Sequence, residues 1–206
     1  MSAASGRLRR RGTSSSEPAC GGAGVRRASE YQDDEFQALD RPLSPEEQEQ
    51  LRAISTRARI TATSFTNTYN WGCLSGNPRR MVERYFDAHL YATNWGTHRL
   101  MLRLPRYALT LPTVKPYCLD HHVDAWTTRA HLLLDLTSED EGGDWAEGAD
   151  DSLAALIGVR DELAIGDLRP LHLAWLSALA AWELEDETKR STRPARSRPS
   201  RPGSAS

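Results

Sequence analysis

Residues 98–105 read His98-Arg99-Leu100-Met101-Leu102-Arg103-Leu104-Pro105. Leu100, Leu102 and Leu104 alternate with Arg99, Met101 and Arg103, which is the period-two pattern of a strand with one buried face. Pro105 cannot donate to a ladder and closes the strand. Such a strand requires neighbours to pair with and helices to cover its leucines, so the residues on either side are read for both.

Upstream, Asn77 is a good helix cap and Pro78 a good first residue. Met81, Val82, Tyr85, Phe86, His89 and Leu90 then recur at helical spacing, which predicts one helix over 78–93, stopped by Thr93-Asn94-Trp95-Gly96. Before it, residues 59–71, RITATSFTNTYNW, are β-branched and aromatic, and predict a strand ended by Gly72. Ser44-Pro45-Glu46-Glu47 is a capping box with proline at the first helical position. Its helix should run to about Ser55 with Leu51 and Ile54 inward. Residues 30–40 place Tyr31, Phe36 and Leu39 in a short strand.

Downstream, strands at 121–127 and 130–136 form a hairpin, followed by an acidic loop. Asp150, Asp151 or Ser152 can cap a helix carrying Leu153, Leu156, Ile157 and Leu163, although Gly158 costs it roughly 1 kcal/mol relative to alanine. Gly166 ends that helix and Asp167 caps the next. There Leu168, Leu171, Trp175, Ala178 and Trp182 form a 3-4-3-4 seam for packing on a neighbour. The expectation is an α+β domain over 30–187: a mixed sheet of about five strands, backed by helices on one face and ending in a helical hairpin.

Across 206 residues, 26 Lys and Arg stand against 28 Asp and Glu, for a net charge of −2. That balance conceals a segregation: residues 1–29 carry +5, residues 188–206 carry +6, and the body between them −13. Both ends are Arg/Ser-rich and poor in large apolar groups, so they are expected to be disordered. An acidic body repels nucleic acid, which leaves weak nucleic-acid contact to the basic tails alone. No run of 18 apolar residues occurs, so no membrane partner is expected. No apolar segment follows the N-terminal arginines, which argues against a secretory signal. Cys20, Cys73 and Cys118 are far apart and lack a Cys-x-x-Cys pair. They read as free thiols in a reducing cytoplasm.

Several stretches taken together resemble an uncharacterised family of bacterial cytoplasmic proteins. They are Glu30-Tyr31-Gln32 through Asp40-Arg41-Pro42-Leu43, Thr66-Asn67-Thr68-Tyr69-Asn70-Trp71-Gly72, Arg79-Arg80-Met81-Val82-Glu83-Arg84-Tyr85-Phe86-Asp87-Ala88-His89-Leu90-Tyr91, and Asn94-Trp95-Gly96-Thr97 with Leu100 to Arg106. The resemblance covers roughly residues 30–185 and implies no activity. The chain departs from it at Cys73-Leu74-Ser75, where relatives carry an acidic-aromatic-basic run. It departs again at the C-terminus, where relatives continue in a longer helical region. The resemblance therefore reads as that of a truncated member.

Four clusters could carry chemistry. The loop from Gly72 to Gly76, opening a helix at Asn77 with Arg79 and Arg80 in its first turn, could bind an anion through free N–H groups and arginine charge. The spacing is not that of a Walker loop, and an ordinary strand-to-helix turn is the simpler reading. His122, Asp124 and His131 are weak metal candidates that also read as hairpin-surface residues; no cofactor is expected. The seven acids of 139–151 lack the EF-hand pattern and read as a solvated loop. The two Asn-Trp-Gly turns could bring Trp71 and Trp95 beside Tyr85 and His89 as a pocket, though aromatics at helix ends more often close a core. With no convincing catalytic constellation, the leading expectation is a non-enzymatic protein-interaction or adaptor domain using the C-terminal helices. The alternative is an enzyme or ligand-binding domain recognising an anionic small molecule at Gly72–Arg80.

Overall fold

The strand at the centre of the sequence pattern is present, but it is buried on both faces. In the computed structural model, which describes residues 32–70, 74–119, 121–139 and 153–191, this strand runs Thr97–Pro105. Met101, Leu102 and Leu104 are fully buried and Arg103 nearly so. In chain order the elements are β1 (Gln32–Gln37), α1 (Pro45–Ile54), β2 (Arg59–Ile60), β3 (Ser64–Tyr69), α2 (Pro78–Arg84), β4 (Ala88–Thr93), β5 (Thr97–Pro105), α3 (Leu111–Val114), β6 (Val123–Thr127), β7 (His131–Glu139), α4 (Leu153–Ala164) and α5 (Arg169–Ser191). The seven strands form one sheet in the order β2-β3-β1-β4-β5-β7-β6, and every pairing is antiparallel. The class is α+β, as expected. The sheet has more strands than expected, and it is covered on both sides.

The register fixes what each face carries. Phe65, Phe36, His89, Met101, Asp135 and Asp124 pair successively across the sheet, so they share what we call the front face. There α1 and α2 cover Phe36, Phe65, Met101 and Leu133 with Leu51, Met81 and Val82, joined by Phe86 just beyond α2. The back face carries Ala88, Leu90, Leu102, Leu104, Leu132 and Leu134, covered by α3, α4 and α5 through Val114, Leu153, Leu163 and Leu171.

Local signals hold where they are local. The Ser44 hydroxyl accepts from the Glu47 N–H at 3.2 Å, and the Glu47 carboxylate accepts from the Ser44 N–H at 2.9 Å. Asn77 caps α2 through Oδ1 and the Arg80 N–H at 3.0 Å. The Asp167 carboxylate accepts from the Arg169 N–H at the start of α5, and Gly166, at φ 89°, supplies the left-handed turn between α4 and α5. The capping expected from Asp150, Asp151 or Ser152 lies outside the described residues. The Glu35 carboxylate of β1 accepts from the Leu153 N–H at 2.9 Å, tying the start of α4 to the sheet.

Two expectations are corrected. The helix over 78–93 ends at Arg84, and residues 88–93 are the strand β4. Tyr85 and Phe86 N–H both reach the Met81 carbonyl, which closes α2. Asp87 then diverts the chain. It is fully buried, its carboxylate accepts from the N–H groups of Leu39 (2.7 Å) and Asp40 (2.9 Å), and Arg103 donates to it at 2.7 and 3.0 Å. Those long-range bonds override the helical spacing of His89 and Leu90. The single strand expected over 59–71 is two strands folded on themselves. The Thr61 hydroxyl accepts from the N–H groups of Thr63 and Ser64, turning β2 back onto β3. Asn94-Trp95-Gly96, read as a helix stop, is the three-residue turn of the β4–β5 hairpin. Gly96 sits at φ 99° there, as such turns require.

Candidate functional site

Charged side chains concentrate on the front face beside its aromatic core. Arg99 of β5 holds Asp135 of β7 in a bidentate grip, Nε to Oδ1 at 2.7 Å and Nη2 to Oδ2 at 2.6 Å. Arg79, projecting from α2, donates to both Asp135 and Asp124 at 2.8 Å and lies over the Trp126 ring at 4.4 Å. The Trp126 indole N–H donates to Glu83 at 2.7 Å. Burial alone would weaken the Arg99 charge, yet its hydrogen bonds to Asp135 and the Asp135 charge outweigh it and raise the guanidinium above its ordinary range. Two arginines thus face two aspartates, and the cluster is charge-balanced. One strand over, His89 Nε2 lies 2.7 Å from Asp34 Oδ1, with the imidazole stacked on Phe36 at 4.0 Å. The aspartate can only accept, so the Nε2 proton points at it. Both residues are buried. A His–Asp pair sealed in this way meets no nucleophile and no entering substrate, so its chemical capacity is to fix β1 against β4.

Of the anion-loop residues, Gly72 lies outside the described residues. Asn77 Oδ1 is occupied as the α2 cap, and Arg79 is engaged by two carboxylates, leaving Arg80 as the exposed arginine of the pair. Gly76 has a packing reason for being glycine, since an added Cβ would stand 2.9 Å from Ile54 Cγ2 and Met81 Sδ. Of the pocket residues, Trp71 lies outside the described residues. Tyr85, at the end of α2, donates to Gln50 at 2.7 Å. Trp95 is 39% exposed in the hairpin turn beyond the far end of β4, and six strand residues span roughly 20 Å. Tyr85 and Trp95 therefore stand at opposite ends of one strand.

The metal candidates also fall apart in space. Asp124 is held by Arg79 on the front face, and His131 begins β7 four residues from Asp135, the partner of Asp124. His122 is buried just before β6, with Nδ1 3.4 Å from the Thr137 carbonyl. No group of three His, Cys, Asp or Glu side chains suited to a metal ion occurs among the described residues. Cys118 is half-buried, and burial pushes its thiol up, away from the reactive thiolate.

The remaining feature is the outer side of α5. Leu171 and Ala178 of the predicted seam are buried, and Leu168 and Trp175 are half-buried. Leu173 and Leu176, one turn apart on the opposite side, are 65% and 43% exposed. A helix apolar all round is expected to be covered all round, whereas α5 packs along one side. No helix among the described residues is long and apolar enough to cross a membrane. No known protein family, curated protein or solved structure matches this chain.

Proposed function

We propose that the chain is a non-enzymatic, cytoplasmic protein-interaction domain whose contact surface is the outer side of α5. The observation that carries this reading is the exposure of Leu173 and Leu176 on a helix already anchored by Leu171 and Ala178. Support for a non-catalytic role comes from the front face, where the arginines and aspartates are spent on one another and the His–Asp pair is buried.

The occupant that fits is the α5 of a second copy, running antiparallel. Such a pairing is self-complementary about a two-fold axis. Centred midway between Leu173 and Leu176, it sets each Leu173–Leu176 stripe against its twin. Light scattering of the full chain across a concentration series tests this. The expected result is a concentration-dependent dimer that reverts to monomer in Leu173→Glu/Leu176→Glu. A monomer at every concentration in the unmodified chain overturns the reading.

A further inference from the structure

On the back of the sheet, between β4, β5 and β7 and the helices α4 and α5, the structure leaves a cleft of about 250 Å³. Its walls are Leu90, Leu100 and Leu136 from the sheet, Leu156 from α4 and Ala174 from α5, and His122 lies against it. Its lining residues include no Lys, Arg, Asp or Glu. This is the opposite of the front face, where each buried charge meets a counter-charge.

His98, Thr137, Ser138 and Ser177 also line the cleft, and His122 differs from them in the burial of its ring. The residue is 2% exposed. Its backbone is held on both sides: its N–H donates to the Leu119 carbonyl at 3.1 Å, and its carbonyl accepts from the Thr137 N–H at 2.8 Å. Its Nδ1 approaches the Thr137 carbonyl. A carbonyl only accepts, so the proton of the neutral ring belongs on Nδ1, and Nε2 is left as a lone-pair acceptor. That Nε2 is buried and has no hydrogen-bond partner. An unsatisfied buried acceptor is costly, and native interiors seldom leave one without a reason. A ligand that brings a donor removes the cost. The ring is immobilised beforehand by Thr137 and by the backbone bonds, so little ordering is needed on binding.

We infer that this cleft is a binding site for a small, uncharged, mostly apolar molecule carrying one hydroxyl or N–H group, which donates to His122 Nε2. Size sets the class. An apolar cavity of roughly 150 Å³ holds benzene, and drug-sized ligands need about 300 Å³ or more. The cleft therefore takes a single ring with a short substituent, and a phenol is the simplest molecule with both required parts. The absence of charged lining residues disfavours phosphates and carboxylates. The inference is independent of the α5 contact, since it concerns the inner side of that helix.

The experiment is an amide-resolved NMR titration of the full chain with para-cresol and, in parallel, toluene, which has the same shape without the hydroxyl. Saturable shifts confined to the neighbourhood of Leu90, Leu100 and Leu136 are expected, with para-cresol at least tenfold tighter than toluene. Ala174→Trp, a change at a half-buried helix position that keeps the fold, should fill the cleft and abolish both titrations. His122→Phe should remove the preference for the phenol. Should His122→Phe fail to fold, the Ala174→Trp arm and the cresol-to-toluene ratio in the unmodified chain still decide the matter. Equal affinity for the two probes, shifts that survive Ala174→Trp, or no saturable shift into the millimolar range (a cleft that holds water only) overturns the inference.

Discussion

On the front of the sheet, one row across six strands reads Phe65, Phe36, His89, Met101, Asp135 and Asp124; the row behind it, on the same strands, reads Ser64, Gln37, Ala88, Leu102, Leu134 and Ala125. The front interleaves rings with ions and satisfies the ions pairwise. The back turns almost wholly apolar toward its helices and, among the described residues, leaves the acceptor His122 Nε2 without a partner, as the front leaves His89 Nδ1. Strand β5 encodes both: Arg99, Met101 and Arg103 face forward, and Leu100, Leu102 and Leu104 face back. Burying charge on one side obliges the fold to supply a partner for each ion, so the front is specified by pairs of residues and the back by area. The hub of the front is Asp87, which with Arg103 joins the Leu39–Asp40 loop, the end of α2 and β5. Arg160 of α4 extends this to the back by donating to the Arg103 carbonyl and, bidentately, to Asp40.

The largest expected effect follows from that hub. Asp87→Ala strands Arg103 as a buried, unpaired charge, which costs about 3–5 kcal/mol, measured by urea denaturation. The same site carries the acid sensitivity. Burial tends to raise the Asp87 carboxyl, but the backbone N–H of Asp40, the Arg103 charge and the Leu39 N–H outweigh it and hold the carboxyl below its ordinary range. A group lowered on folding adds stability above its unfolded value, near 3.9 for aspartate, and that stability drains away as the pH falls through the folded value. Stability should therefore decline in acid below about pH 4 in the unmodified protein and decline less in Asp87→Asn. Glu47 adds a smaller step of the same sign. The Arg41 hydrogen bond, with the Ser44 N–H, holds it at about 2, so its share is lost between its ordinary value of 4.5 and that point.

Next in size is Leu102→Ala on the back face, at about 2–5 kcal/mol from lost transfer energy and the cavity left behind. Its acid profile should match that of the unmodified chain, because the substitution leaves the Asp87 carboxylate and its donors in place. If Leu102→Ala destabilised more than Asp87→Ala, or altered the acid profile, the division of labour between the faces would be wrong.

The same contrast explains what could be read in the sequence. The capping box at Ser44–Glu47 and the Asn77 cap are legible because donor and acceptor lie three residues apart. The back-facing leucines of β5 are legible because their period is local. Arg99 and Arg103 look like a solvent face, and only the folded chain supplies Asp135, 36 residues on, and Asp87, 16 residues back, to bury them. β4 imitates a helix in sequence for a related reason. His89 and Leu90 lie on opposite faces of a sheet buried on both sides, and two adjacent buried residues imitate the wide apolar face of a helix. At the candidate sites, the α5 seam was legible but its exposed leucines were not, since spacing alone cannot say which sides of an apolar helix find cover. His122 was noticed for its neighbours in sequence, whereas its chemistry depends on Thr137 and on leucines from three other elements.

A smaller effect is expected from Arg79→Met. The guanidinium is 40% exposed in its ion pairs, and Asp135 keeps its bidentate bond to Arg99, so no ion is orphaned in the interior. Loss of a half-exposed pair and the stacking on Trp126 amounts to about 1 kcal/mol. A loss as large as that of Asp87→Ala would mean that Arg99 cannot hold Asp135 alone. The front face would then have two hubs.

The smallest expected change separates stability from association. In Leu173→Glu/Leu176→Glu the monomer should unfold within about 0.5 kcal/mol of the unmodified chain per site, because neither leucine packs against the sheet and exposed substitutions fall in that range. Measured at concentrations where both proteins are monomeric, the two urea midpoints should coincide, while at high concentration the unmodified chain alone gains from mass action. A midpoint that drops in the dilute monomer would place these leucines in the back-face core. The apparent exposure of α5 would then be a property of part of the population, and the outer side of the helix would belong to the fold rather than to a contact.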